Sequence, residues 1–317
     1  MDKVLITRRL PQAGLDPLAE RTQLIVSPHD RPLTPDELRE MSAGCRALGA
    51  TLGDRIDEAF LAARPEIEIV ANYAVGVDNI DLEATGRRRV VVTNTPDVLT
   101  EATADLALAL ILALTRRVVE GDRLLRRGEF FGIAPLFMLG DDLAGQTLGI
   151  FGLGRIGRAV AKRGLVFGLR IIYHNRRPDP QAAKELGAEY VSFDELLTRS
   201  DVLSINAPLT DETRGVFDYE TLGRMQPTAS LINTGRGPIV READLAKALK
   251  EGLIKGAALD VYEHEPQVHP ELIPLPNVVL APHLGSATIG VREKMARLVA
   301  QNIITYLDGL DPPHRVI

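Results

Sequence analysis

A glycine-rich turn in FGLGRIGRAV sets Gly152, Gly154 and Gly157 in G-x-G-x-x-G spacing. A strand-like run, QTLGIF, precedes it and a helix-like run, RIGRAVAKRGLVF, follows. In that setting the first glycine permits a tight turn, the second lets a pyrophosphate approach the backbone, and the third lets helix pack on strand. Arg155 and Ile156 open the helix, whose N-terminus favours phosphate charge. The next strand-like run, IIYH, ends in Asn175, Arg176 and Arg177, where a dinucleotide fold usually carries an acid. An acid there would accept bonds from the ribose hydroxyls and repel a 2'-phosphate. A neutral Asn175 and the planar fork of Arg176 suit that phosphate instead. The stretch therefore reads as preferring NADP(H), with NAD(H) possible. Pro178 pushes Arg177 towards extended geometry and leaves its aim open.

Three later segments carry reactive side chains just past strand-like runs. LINTGRGPIV sets Arg236 between two glycines, ALDVYEHEP ends with Glu265 before Pro266, and VVLAPHLGSAT holds His283. Open α/β sheets bind ligands beyond the C-terminal ends of their strands. A guanidinium can grip a carboxylate as a fork, and a histidine can exchange a proton near neutral pH. His264 and His269 lie close by, but HEPQVH has no accompanying ligand set, so no metal site is expected.

The elements that would position these residues are legible as alternating runs. KVLIT, QLIVS, ALGATL, IEIVANYAV and VVVTN read as strands separated by helix-compatible stretches such as TPDELREMSAG. A second series, TLGIFG, LRIIYH, VLSINAP, ASLINTG, AALDVY and VVLAPH, follows the same rule. Alternation of this kind implies parallel sheets with crossovers. Between the two series lies TEATADLALALILALTRRVVEGDRLLRRGEF, with no breaker before Gly121. It reads as one long helix, apolar on every side from Leu106 to Leu114 and so buried, as at a subunit interface. The last helix is amphipathic, with Met295, Leu298, Val299 and Ile303 at helical spacing.

A chain of 317 residues is too long for a typical single core and suits two domains. A net charge of -6 argues against a general nucleic-acid or anionic-membrane partner. The single cysteine, Cys45, cannot form an internal disulfide and reads as a structural thiol. No apolar run is long enough for a signal peptide or a membrane span, so the expected location is the cytoplasm.

Taken together, AVGVDNID, GLGRIG, NTGRG, DVYEHEP and PHLGSAT resemble the D-isomer-specific 2-hydroxyacid dehydrogenase family over essentially the whole chain. Within it the chain is most similar to the glyoxylate/hydroxypyruvate reductases. The resemblance implies an α/β protein of two doubly wound parallel-sheet domains with a cleft between them. Residues 1–99 and 287–317 would form a flavodoxin-like substrate domain, and residues 100–286 a Rossmann coenzyme domain. It implies a catalytic set of Arg236, Glu265 and His283. Arg236 would hold the carboxylate of a small 2-oxo acid and polarise its carbonyl, and His283 would give the proton as hydride arrives. Glu265 would fix the imidazole ring and favour its charged form. Backbone amides around Val75 and Gly76 would hold the substrate carboxylate, and Leu52 would pack over it. Asp260 would lie on the carboxamide side of the nicotinamide, with Pro208, Thr234, Gly235 and Gly285 among the coenzyme contacts.

Phe137 stands where some relatives place a tryptophan that reaches the partner subunit's pocket. Phenylalanine leaves room for a chain longer than glyoxylate, and the long apolar helix from Glu101 implies a homodimer, as in the family. Val75 stands where phosphite-oxidising relatives carry a lysine, which cuts against an inorganic oxyanion. The expected function is reduction of glyoxylate or hydroxypyruvate with NADPH preferred. A 2-ketogluconate reductase with the same machinery is the alternative. A nucleotide-sensing, corepressor-like binding protein is a third reading, against which the intact Arg–Glu–His set argues.

Overall fold

The computed structural model describes residues 1–317 and resolves into two compact units, Met1–Leu99 with Ala287–Ile317, and Thr100–Ser286. In the first unit the chain runs β1 (Lys3–Ile6), α1 (Gln12–Arg21), β2 (Gln23–Val26), α2 (Pro35–Met41), β3 (Ala47–Ala50), α3 (Glu58–Ala63), β4 (Ile69–Asn72), α4 (Leu82–Arg88) and β5 (Val91–Thr93). The second unit begins with α5 (Thr100–Thr115), α6 (Val118–Arg126), β6 (Thr147–Phe151), α7 (Arg155–Val166), β7 (Arg170–His174), α8 (Pro180–Leu186) and β8 (Glu189–Tyr190). It continues with α9 (Phe193–Arg199), β9 (Val202–Ile205), α10 (Tyr219–Leu222), β10 (Ser230–Asn233), α11 (Glu242–Glu251), β11 (Gly256–Leu259) and β12 (Val278–Leu280). The final helix, α12 (Ile289–Leu307), returns to the first unit. No helix is long and apolar enough to cross a membrane.

Both sheets are parallel throughout. The first has the order β2-β1-β3-β4-β5, the flavodoxin-like arrangement. β3 and β4 are buried at every residue, as strands covered on both faces must be. Local signals fix the helix starts. Thr34 and Glu37 close a capping box on α2, and Asp57 and Asp81 cap α3 and α4 through the amides of Phe60 and Ala84. On α12, Met295, Val299 and Ile303 form the buried stripe.

The second sheet has the order β12-β11-β10-β9-β6-β7-β8. The winding reverses between β6 and β9, and such a reversal opens a ligand crevice beyond the strand ends. The turns after β6, β10, β11 and β12 therefore all emerge at one end of one sheet. That places the glycine turn, Arg236, Asp260 and His283 on the same edge.

Two features depart from the sequence reading. The apolar run does not make one helix. Arg117 adopts a left-handed backbone (φ 53°) between α5 and α6, and its guanidinium grips Glu120 at 2.6 and 2.8 Å. The end of α5 is closed by the Asp141 amide, which donates to the Thr115 carbonyl at 3.0 Å. Nor is the run buried all round. Ala104, Ala107, Leu110 and Ile111 enter the core, while Leu106, Leu112 and Leu114 are only half-buried and Ala109 is exposed. The short strand β8 was not anticipated; at two residues it offers no period to read.

Gly157 shows how tightly α7 sits on the sheet. A Cβ there would come within 2.2 Å of the Gly152 carbonyl oxygen, a backbone atom with little room to move. Gly157→Ala should lower stability by about 1–3 kcal/mol and weaken coenzyme binding. Thermal melts and coenzyme titration check this, and an unchanged melt would contradict the packing.

Candidate active site

The glycine turn begins at Gly152, with a left-handed backbone (φ 97°) where a Cβ would lie 2.6 Å from the Ala207 amide nitrogen. The Gly152 amide donates to the His174 carbonyl at 3.0 Å, tying the turn to β7. At Gly154, the residue before α7, a Cβ would meet nothing within 4 Å. That open approach at a helix N-terminus fits a pyrophosphate. Arg155 and Ile156 begin the helix as expected.

The stretch from Asn175 to Asp179 is anchored at both ends. The Asn175 side-chain oxygen accepts from the Leu153 amide at 2.7 Å, and the Tyr190 hydroxyl donates to the Asn175 carbonyl at 3.2 Å. The Asp179 amide donates to the Tyr173 hydroxyl at 2.9 Å, and the Asp179 carboxylate caps α8 and pairs with Arg158. Asn175 thus braces the glycine turn, while Arg176, Arg177 and Pro178 stand exposed between the anchors. One acid does approach them. Glu212, past β9, is held below the ordinary glutamate range chiefly by the Thr210 hydroxyl and its own amide, and Arg176 adds its charge to that effect. Glu212 lies on a different loop, far from Arg176 in the chain, so local spacing does not show it.

On the neighbouring loops, the Pro208 carbonyl accepts from the Thr213 hydroxyl at 2.8 Å, and the Thr234 hydroxyl is buried. Beyond β10, the Asn233 side chain clamps the turn. Its oxygen accepts from the Gly235 amide at 3.1 Å and its amide donates to the Arg236 carbonyl at 3.0 Å. Arg236 is half-buried, with its guanidinium donating to the Gly235 carbonyl at 3.0 Å. A Cβ on Gly237 would fall 1.8 Å from the Tyr262 carbonyl oxygen, so the Arg236 turn lies directly against the loop that carries Glu265.

Asp260, only 1% exposed, holds the next loop in place. Its carboxylate oxygens accept from the Leu284 amide at 2.6 Å and the Gly285 amide at 2.9 Å, while its carbonyl accepts from the His283 amide at 2.9 Å. Burial pushes the Asp260 carboxyl up, and the two amides and His283 oppose that. His283 itself adopts a left-handed backbone (φ 54°), an uncommon conformation for a non-glycine residue. That backbone turns the imidazole so that Nδ1 lies 2.8 Å from Glu265 Oε2. The other Glu265 oxygen accepts from the Tyr262 amide at 3.0 Å. Burial raises the Glu265 carboxyl, but the His283 bond and charge, the Tyr262 amide and Arg236 outweigh it and leave it below the ordinary value. An ionised carboxylate only accepts, so Nδ1 carries the hydrogen and Nε2 is the ring atom left for proton exchange.

At His264 and His269 the backbone bonds locally. The His264 carbonyl accepts from the Gln267 amide at 2.9 Å, and the His269 amide donates to Glu242 at 2.8 Å. Glu242, Asn233 and Tyr262 were missed by the sequence reading. Each acts through bonds to backbone groups, which leave no spacing to recognise.

In the first unit, considered by itself, Val75 and Gly76 lie on the loop after β4. The Asn94 side chain donates to the Val75 carbonyl and the Asn72 side chain to the Gly76 carbonyl, each at 2.8 Å. Asn79 bonds Asn72 and also donates to the carbonyls of Thr51 and Asp54 at 3.1 Å. The loop with Val75 and Gly76 is thereby fastened to the loop with Leu52. Phe137, in the second unit, packs against Phe131 edge-on at 4.9 Å and against Phe130 at 6.3 Å.

Comparison with known proteins agrees with this arrangement. The family profile described as D-isomer specific 2-hydroxyacid dehydrogenase, NAD binding domain, matches residues 108–285. A glyoxylate reductase of Thermococcus onnurineus is 49% identical over 98% of this chain and 94% of its own length. A crystal structure of a Thermus thermophilus protein superposes with a TM-score of 0.92 at 45% identity, covering 99% of this chain and 100% of that one. An NADPH-dependent glyoxylate/hydroxypyruvate reductase of Sinorhizobium meliloti, in complex with NADP and malonate, superposes with a TM-score of 0.86 at 34% identity, covering 99% of this chain and 96% of that one. The chain belongs to the D-isomer-specific 2-hydroxyacid dehydrogenase family, as an NAD(P)-dependent oxidoreductase with a Rossmann unit and a second parallel-sheet unit.

Proposed function

We propose that the chain reduces small 2-oxo acids, glyoxylate and hydroxypyruvate, to 2-hydroxy acids, with NADPH preferred over NADH. The observation that carries the reading is the His283–Glu265 pair at 2.8 Å, with Arg236 close enough for its charge to be felt at Glu265. The names of the relatives support the substrate class, and the Sinorhizobium complex supports the coenzyme.

A bound nicotinamide supplies the hydride. Arg236 holds the substrate carboxylate as a fork and polarises the carbonyl. In the first unit the amides around Val75 and Gly76 are the second carboxylate holder, with Leu52 packing over the chain of the acid. His283 Nε2 gives its proton to the nascent hydroxyl, and Glu265 keeps the ring oriented and stabilises the imidazolium. Gly152, Gly154 and Gly157 admit the pyrophosphate. Pro208, Thr234, Gly235, Asp260 and Gly285 line the coenzyme's path, Asp260 by ordering the Leu284–Gly285 amides. Arg176 meets the 2'-phosphate, with Glu212 opposing it in part. A longer 2-keto-sugar acid is the second reading, favoured by phenylalanine rather than tryptophan at Phe137. Cys45 is fully buried and unpaired, so nothing in the fold needs an oxidising compartment, and the cytoplasm is the proposed location.

The working form in this reading is a homodimer. Val118, Leu125, Phe130, Phe131, Ile133 and Leu136, on α6 and the segment that follows it, are all more than half exposed. So many exposed apolar side chains in one stretch of chain support an interaction site there.

Two measurements test these points. Arg176→Ala should raise the Michaelis constant for NADPH roughly tenfold to a hundredfold, the loss of one charge-assisted bond, with that for NADH nearly unchanged. Equal effects on both coenzymes, across a panel of glyoxylate, hydroxypyruvate and longer 2-oxo acids, would contradict the assignment. Light scattering should give about twice the chain mass, and a clean monomer with α5 and α6 folded would refute the dimer.

A further inference from the structure

We propose that Glu242, which touches neither substrate nor coenzyme in the reading above, is a positioning residue that sets the Glu265 carboxylate against His283. The inference rests on that reading of His283 and Glu265. Glu242 is only 3% exposed, an unusual place for a carboxylate. Backbone amides are what hold it. One carboxylate oxygen accepts from the Glu263 amide in a short bond, and the other accepts from the His269 amide at 2.8 Å. Those two amides bracket Glu265 and Pro266 in the chain. The contact is reciprocal, because the Glu242 amide, at the first turn of α11, donates to the Glu263 carboxylate at 3.1 Å.

The loop from Tyr262 to His269 projects from the sheet beyond β11. The Tyr262 hydroxyl fastens its root to the Ala281 carbonyl at 2.8 Å, and the Tyr262 amide holds one Glu265 oxygen at 3.0 Å. The outer part of the loop is fastened by Glu242. The close contact of Gly237 with Tyr262 means that the chain leading into α11 and the Glu265 loop also pack backbone to backbone. Glutamate is the side chain this geometry needs. It offers two acceptors to two donors, whereas glutamine offers one acceptor and turns an N–H group towards the other amide. Aspartate keeps both acceptors but stands one methylene short. A catalytic hydrogen bond tolerates little displacement, since a shift of about 1 Å can cost about a hundredfold in rate. The charged and titratable groups that face the His283–Glu265 pair in this unit are Arg236 and Asp260, with Tyr262 and Glu242 behind them.

The test compares the pH dependence of glyoxylate reduction by the wild-type holoenzyme, Glu242→Gln, Glu265→Gln and the double variant. Glu242→Gln should move the alkaline fall in kcat to lower pH, in the same direction as Glu265→Gln. The loss should be about threefold to tenfold on the alkaline side, a shift of about half a unit to one unit, with the NADPH Michaelis constant unchanged. If Glu242 acts through Glu265, the double variant should be no worse than Glu265→Gln alone. A merely structural role would instead lower the melting temperature, leave the pH profile in place and add to the Glu265 effect in the double variant; that result overturns the proposal. Should Glu242→Gln not accumulate as folded protein, Glu242→Asp carries the same expectation of an alkaline shift. A wild-type profile without an alkaline fall, or one that Glu265→Gln does not move, would refute the proposed reaction chemistry rather than the positioning role.

Discussion

The 2.8 Å contact between His283 Nδ1 and Glu265 Oε2 depends on two buried carboxylates that are bonded to backbone rather than to substrate. Asp260 gathers the amides of Leu284 and Gly285, which fixes the loop carrying His283. Glu242 gathers the amides of Glu263 and His269, which fixes the loop carrying Glu265. Each loop leaves the sheet from an adjacent strand and would otherwise rely on its own few contacts. A buried acceptor that satisfies two backbone donors restricts a loop more than a solvated ion pair does, because each such bond to a charged group contributes about 1.5–3 kcal/mol.

The parallel sheet explains why these loops meet at all. With every strand running the same way, the turns after β6, β10, β11 and β12 open at one edge, and the reversal of winding between β6 and β9 parts them. The glycine turn and the reactive side chains then share one platform. The rigidity of that platform comes from backbone approaches that only glycine permits, at Gly157 against Gly152 and at Gly237 against Tyr262. The loop with Val75 and Gly76 in the other unit is held by different means, with Asn72 and Asn94 bonding its carbonyls and Asn79 tying Asn72 to the carbonyls of Thr51 and Asp54.

Sequence reached the parts of this structure that rest on steric necessity or periodicity. The glycine turn was legible because each glycine answers a separate steric demand, and both parallel sheets were legible from strand-length apolar runs at regular intervals. Residues in strand-end motifs, Arg236, Glu265 and His283, could be picked out, and the structure brings the last two into contact. What escaped was carried by bonds between distant side chains and backbone. The break at Arg117 comes from a left-handed residue stabilised by Glu120 and from a loop, far along the chain, that closes the end of α5. Asn175 was read as a neutral gap in the ribose site, yet its oxygen braces the Leu153 amide. Glu212 and Glu242 sit in unremarkable polar stretches, and nothing in their spacing points to Arg176 or to the loop of Glu265.

In the proposed reaction His283, oriented by Glu265, moves the proton. The most direct measurement follows kcat in both directions across the pH range, reduction of the oxo acid and oxidation of the hydroxy acid, in the wild type and in His283→Ala. Reduction needs the imidazolium and oxidation the neutral ring. Reduction should therefore fall and oxidation rise over the same interval, and His283→Ala should lose both limbs along with roughly a hundredfold to ten-thousandfold in turnover. Parallel profiles in the two directions, or a His283→Ala enzyme that keeps its turnover and its pH dependence, would contradict the account.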